Sequence, residues 1–168
     1  SALSETLTAS TPLIFAALGI AIGFRAGLFN IGAEGQIIIG GLAAVIVGFS
    51  VELPILLHLT IVLFIGAAFG AGYAFISGWL KAFTGAHEVI TTIMLNLIAF
   101  RLLDFFLRLP FIQKEGRNDP ISKSVLETAE LPRLLSFIDP NLRIHAGFLL
   151  AVLAVVLVYW IIFHTTIG

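Results

Sequence analysis

The spacing of charged residues constrains this chain more than any other feature, because the uncharged runs between them approach or exceed the ~20 apolar residues that a helix needs to cross a bilayer core. Residues 6–24, between Glu5 and Arg25, give 19 uncharged positions, and residues 35–51, between Glu34 and Glu52, give 17. Residues 53–80 give 28, enough at ~1.5 Å per residue to cross with tilt. Residues 146–163, "AGFLLAVLAVVLVYWIIF", give 18 and carry Tyr159 and Trp160 near one end, where an aromatic belt would sit. A fifth stretch, "HEVITTIMLNLIAFRLLDFFLRLPF", is weaker, with 12 uncharged residues (89–100) before Arg101. Only 11% of the chain is charged, against about 25% in a soluble domain. The expected fold is all-α: a polytopic transmembrane helical bundle of about five membrane segments, with residues 1–168 as a single transmembrane domain.

Composition also removes several classes of function. A net charge of -1 gives no footing for a nucleic-acid partner. With no Cys there is no disulfide framework, thiolate metal site or cysteine nucleophile. His58, His87, His145 and His164 are too dispersed for a recognisable metal signature. No lysine follows the glycines of a phosphate-binding loop, so the chain is not expected to hydrolyse ATP by itself.

Three of the runs carry small residues at every fourth position: Gly19, Gly23 and Gly27; Gly40, Ala44 and Gly48; Gly66, Gly70, Ala74 and Gly78. Such stripes let helix backbones approach closely where lipid offers no hydrophobic incentive to associate. Packing within one bundle is the simpler reading, and a dimerisation face the other. The hydrophilic segment 110–145, with Pro110, Pro120, Pro132 and Pro140, reads as an aqueous loop with one short amphipathic helix around Ile121 to Leu135. It holds five basic residues against Arg25 and Lys81 on the other side, a bias that by itself would place the loop in the cytoplasm.

Two places could carry chemistry. Glu88, Thr92 and Asn96 are spaced four apart, on one stripe of the weak fifth span. They could line a polar solute pathway, or serve as an interhelical hydrogen-bonding stripe with Glu88 at the positive end of its helix. The other is "GLFNIGAEGQ", residues 27–36. Its glycines break helical continuity, which a membrane tolerates only where the freed backbone is buried in protein or lines a cavity. Asn30, Glu34 and Gln36 there belong either to a broken-helix binding site or to a tight interfacial turn. Arg101, Asp104 and Arg108, at i, i+3 and i+7, suit a self-neutralising ladder.

"FRAGLFNIGAEGQIIIGG", followed some 50 residues later by "GAHEVITTIMLN", resembles the integral membrane permease subunits of bacterial ABC importers. The superfamily is that of branched-chain amino acid and simple-sugar uptake. The pairing of "NIGAEGQ" with "EVITTIMLN" looks most like its nucleoside branch, with a ribose-type sugar permease as the alternative and a membrane structural or assembly subunit further behind. The resemblance implies a multi-pass protein of the bacterial plasma membrane that forms part of a translocation pathway and has no covalent chemistry of its own. It implies as partners a second permease subunit, a cytoplasmic ATPase subunit that binds the ATP, an extracytoplasmic substrate-binding protein and a small solute. It implies pathway or gating roles for Asn30, Glu34, Gln36, Glu88, Thr92 and Asn96. It further implies that a first membrane helix would precede Ser1, that a coupling helix would follow "HTTIG", and that loop 110–145 is extracytoplasmic, against the basic-residue count.

Overall fold

The computed structural model describes residues 2–132 and 145–164. They form five α-helices: α1 (Ala2–Arg25), α2 (Ala33–Ser50), α3 (Ile55–Thr84), α4 (Glu88–Leu107) and α5 (Ala146–His164). Each is long and apolar enough to cross a membrane. The weak fifth stretch is thus one unbroken helix, α4, that runs on through Arg101 and Asp104. Asp104 accepts a bidentate pair from Arg108 at 3.0–3.2 Å, and such a pair lowers the cost of charges near the bilayer surface. Large apolar side chains point outwards, Leu56 and Phe83 being 80% and 75% exposed, as lipid-facing or partner-facing surfaces are.

The helices fall into two units. One contains α1 and α5. Pro12 lies inside α1 and lacks the N–H of a helical residue, yet the helix continues through it. On the preceding turn the Ser10 and Thr11 hydroxyls both donate to the Leu7 carbonyl, at 2.8 and 3.2 Å; such hydroxyl bonds are a usual accompaniment of Pro in membrane helices. α5 opens on a side-chain cap: the Gly147 N–H donates to the His145 ring Nδ1 at 3.1 Å, and Ala146 N–H to the Pro132 carbonyl. The Arg25 guanidinium stands 6.0 Å over the Phe163 ring.

The second unit, residues 30–130, holds both polar motifs. α2 and α3 pack through two of the small-residue stripes. A Cβ on Gly40 would stand 2.6 Å from the Gly66 carbonyl oxygen, and one on Gly70 would stand 3.2 Å from the Gln36 carbonyl. These glycines are required by backbone-to-backbone approach, the bundle-packing reading of the stripes. Gly19 and Gly78 meet nothing within 4 Å.

Segment 108–130 caps the far ends of α2 and α3. Its first part is a small hairpin: the Lys114 N–H donates to the Ile121 carbonyl and the Lys123 N–H to the Ile112 carbonyl, with Ile112 buried beneath. Arg117 clamps Asp119 at 2.8 Å, and its hydrogen bond holds the Asp119 carboxyl below the usual carboxylate range. Further on, the Leu126 N–H donates to the Gly48 carbonyl at the end of α2, and Thr128 Oγ1 lies 2.8 Å from Nδ1 of the fully buried His58 on α3. The amphipathic helix expected around Ile121 to Leu135 is replaced, as far as Pro132, by a single 3₁₀ turn at Glu127–Ala129; the remainder of that range lies outside the described residues. The backbone of this segment spends its hydrogen bonds on α2 and on the hairpin, which leaves no ladder along its own axis.

Candidate functional site

α2 begins without a cap of its own. Gly32 takes the N-cap position and offers no side chain, although the first N–H groups of a helix have no intrahelical acceptor. The surrounding residues supply the acceptors. Asn30 Oδ1 accepts from the Gly32 N–H at 2.8 Å and from Gln36 Nε2 at 3.2 Å, while Asn30 Nδ2 faces Gln36 Oε1 at 3.4 Å. The two amides thus clasp each other across the first turn.

One turn along, the acceptor comes from another helix. Asn96 of α4 accepts from the Gly35 N–H at 2.8 Å and donates to the Ile31 carbonyl at 3.0 Å. It does for α2 what a local Ser or Asp ordinarily does at an N-cap, from a position 61 residues away in sequence. The fit requires glycine at 35, where a Cβ would stand 2.9 Å from Asn96 Oδ1 and 3.2 Å from Tyr73 Cε1. Tyr73 of α3, itself buried, donates its hydroxyl to the Leu95 carbonyl at 2.8 Å, one residue before Asn96. Three helices therefore meet at Gly35.

The stripe on α4 divides into separate roles. Thr92 is 1% exposed; its hydroxyl donates to the Val89 carbonyl, and a Cβ on Gly32 would meet Thr92 Cβ at 3.1 Å. Glu88 forms an ion pair with Lys81 across the short α3–α4 turn, which Gly85 closes in the left-handed region at φ +68°. Glu34 is different again. It is exposed on the first turn of α2, where a carboxylate complements the helix dipole, and its carboxylate makes no hydrogen bond or ion pair among the described residues of the unit.

Asn30, Gln36, Thr92 and Asn96 thus converge on the start of α2, Glu34 lies on the same turn, and Glu88 is held apart by Lys81. Sequence reasoning missed Tyr73 and the pairing role of Lys81. Each left a signal. A phenol in a largely apolar span needs a hydrogen-bond partner, and Lys81 and Glu88 flank the break between α3 and α4. No group of three His, Cys, Asp or Glu side chains able to hold a metal ion occurs among the described residues. The cluster is rich in amides, each with both a donor and an acceptor, and is suited to exchanging hydrogen bonds with a neutral polar molecule.

The chain matches the family described as branched-chain amino acid transport system / permease component over residues 2–168. It is 38% identical over 164 residues to the guanosine ABC transporter permease protein of Bacillus subtilis, covering 98% of this chain and 46% of that protein. It is 34% identical over 170 residues to the nucleoside ABC transporter permease protein of Lactococcus lactis, covering 99% and 47%. It is 37% identical over 172 residues to the glucose ABC transporter permease protein of Haloferax volcanii, covering 99% and 45%. The chain spans about half the length of these relatives. No solved structure matches it.

Proposed function

From the premise that this chain belongs to the permease-component family of branched-chain amino acid transport systems, we propose that it is a membrane-spanning permease subunit of an ABC importer for nucleosides. It forms part of the translocation pathway and is driven by a separate ATPase subunit, which binds the ATP. A second permease subunit and an extracytoplasmic substrate-binding protein complete the assembly, in the plasma membrane of a bacterium. The single observation that carries this reading is similarity over nearly the whole chain to the guanosine and nucleoside permeases. The geometry adds a physical basis: the polar groups of Asn30, Gln36, Thr92 and Asn96 are gathered at one helix start among helices long and apolar enough to cross a membrane. We assign Asn30, Glu34, Gln36, Glu88, Thr92 and Asn96 to the wall or gate of the pathway, and residues 1–168 to one permease domain.

A sugar permease is the second reading, favoured by the 37% identity to the glucose protein. Uptake of a radiolabelled purine nucleoside by the full-length protein, co-expressed with its ATPase and binding protein, separates the two. Nucleoside accumulation that unlabelled nucleosides suppress and glucose and ribose leave intact supports the first; sugar uptake with no nucleoside uptake replaces it with the second. In the same assay Glu34→Ala is expected to lower uptake roughly tenfold or more, the loss of a charged hydrogen-bond acceptor, with unchanged assembly by pull-down. Normal uptake by Glu34→Ala and Asn96→Ala together would remove these residues from the pathway.

A further inference from the structure

Spacing sets Asn96 on one stripe with Glu88 and Thr92, and the protein already engages both its amide oxygen and its amide nitrogen. Its oxygen holds the Gly35 N–H and its nitrogen holds the Ile31 carbonyl. The Gly35 bond cannot be exchanged for a solute without removing an acceptor from the first turn of α2, because Gly32 supplies no side-chain cap. The bonds also reach the two sides of the Asn30–Gln36 clasp: Ile31 follows Asn30 and Gly35 precedes Gln36 in the chain. A movement of α4 relative to α2 therefore acts on both ends of the clasp together.

We infer that Asn96 is a positioning residue, the joint through which α4 sets the geometry of the Asn30–Gln36 clasp, and that Tyr73 is a second positioning residue that fixes this joint to α3. Tyr73 holds the Leu95 carbonyl, the peptide unit that links Leu95 to Asn96, and its ring edge borders Gly35. It thereby sets the depth at which Asn96 meets α2. The α4 end of the arrangement is fixed by the Lys81–Glu88 pair at its first turn. A register change of α4 or a break at Asn96 would reach the clasp through these contacts. The hydrogen bonds that respond are two at Asn96 and one at Tyr73. The solute-directed acceptor of the region is then Glu34, whose carboxylate is exposed.

This inference rests on the transport reading for its functional consequence, and two readouts keep them apart. The first needs no transport. In the full-length protein in lipid nanodiscs, hydrogen exchange over the peptide containing Gly35 is expected to accelerate roughly tenfold in Asn96→Ala, as the loss of one well-made hydrogen bond allows. Tyr73→Phe, which keeps the ring and removes only the hydroxyl, is expected to produce a smaller acceleration at the same peptide. Adding Tyr73→Phe to Asn96→Ala is expected to cause no further change, since residues that act through one joint are not additive. The second readout is uptake in the complete transporter. Both variants are expected to lower the maximal rate for every transported solute by a common factor and leave the ratio of KM values between two nucleosides unchanged. Asn96→Gln, with the same donor and acceptor on a longer arm, is expected to restore part of the rate.

Unaltered exchange at Gly35 in Asn96→Ala would overturn the joint, as would additive effects of the two variants. A KM ratio that shifts between solutes in Asn96→Ala would make Asn96 a solute contact and overturn the inference in favour of the simpler role. A wild-type protein that moves neither nucleosides nor sugars would remove the transport reading, and the exchange result would still decide the joint.

Discussion

Gly35 and Gly41 lie less than two turns apart on α2 and have opposite surroundings. A methyl group on Gly35 would press on Asn96 Oδ1 at 2.9 Å and on the backbone of Asn96 at 3.2 Å, whereas a methyl on Gly41 meets nothing within 4 Å. Overpacking of a rigid contact costs about 1–3 kcal/mol, while Gly to Ala in an unobstructed helix position gains roughly 0.5–1 kcal/mol. Gly35→Ala is therefore expected to lower the thermal midpoint of the detergent-solubilised protein, and Gly41→Ala to hold or raise it. Equal midpoints for the two would mean that α4 does not approach α2 at Gly35. The residue scale is also where reading the sequence reached its limit. The i, i+4 rule places Thr92 and Asn96 on one face, and both border the start of α2. It could not say that Asn96 would cap a helix 61 residues earlier in the chain, because that depends on how deep α4 sits against α2. The break at "GLFNIGAEGQ" was legible from its glycines, but the acceptor for its orphaned N–H groups was not.

Among the elements, the five helices were legible because charge spacing and bilayer thickness are matched quantities, and α4 runs on through Arg101, which is exposed, to Asp104, which pairs with Arg108 at the helix end. The 121–132 segment was misjudged for the opposite reason. Its pattern suits a helix, and long-range bonds to Gly48 and His58 outbid the local ladder. Those bonds make a prediction. Thr128→Val keeps the shape of the side chain and removes the hydroxyl, which leaves His58 Nδ1 buried without a partner, a loss of about 1–3 kcal/mol. Limited proteolysis is expected to cut the 124–130 stretch of this variant faster than wild type, with the midpoint of global unfolding changed less. Unchanged cleavage would show that the loop is held by Leu126 and Val125 against Gly48 alone. The small-residue stripes behave in the same divided way. Gly40, Gly66 and Gly70 are consumed by α2–α3 contact, while Gly19 and Gly78 remain open, so spacing alone marks a capacity for close approach and does not say where it is used.

For the whole molecule the open quantity is orientation, and two physical arguments oppose each other. The loop 110–145 carries five basic residues, which favours the cytoplasm, while the permease topology that the resemblance implies puts it outside. Orientation follows Lys and Arg counted over all short loops of a protein, and this chain corresponds to about half the length of its relatives. The count within it is therefore the weaker of the two arguments. Glu115, exposed in the hairpin, provides a position at which a thiol disturbs no hydrogen bond or ion pair among the described residues, and residues 1–168 contain no native cysteine. In the full-length protein, Glu115→Cys is expected to react with a membrane-impermeant maleimide in intact cells. A cysteine at Phe83, exposed at the opposite end of α3 near Lys81, is expected to react only after lysis. The reverse pattern would put loop 110–145 in the cytoplasm, as its basic residues favour, and overturn the topology that the resemblance implies.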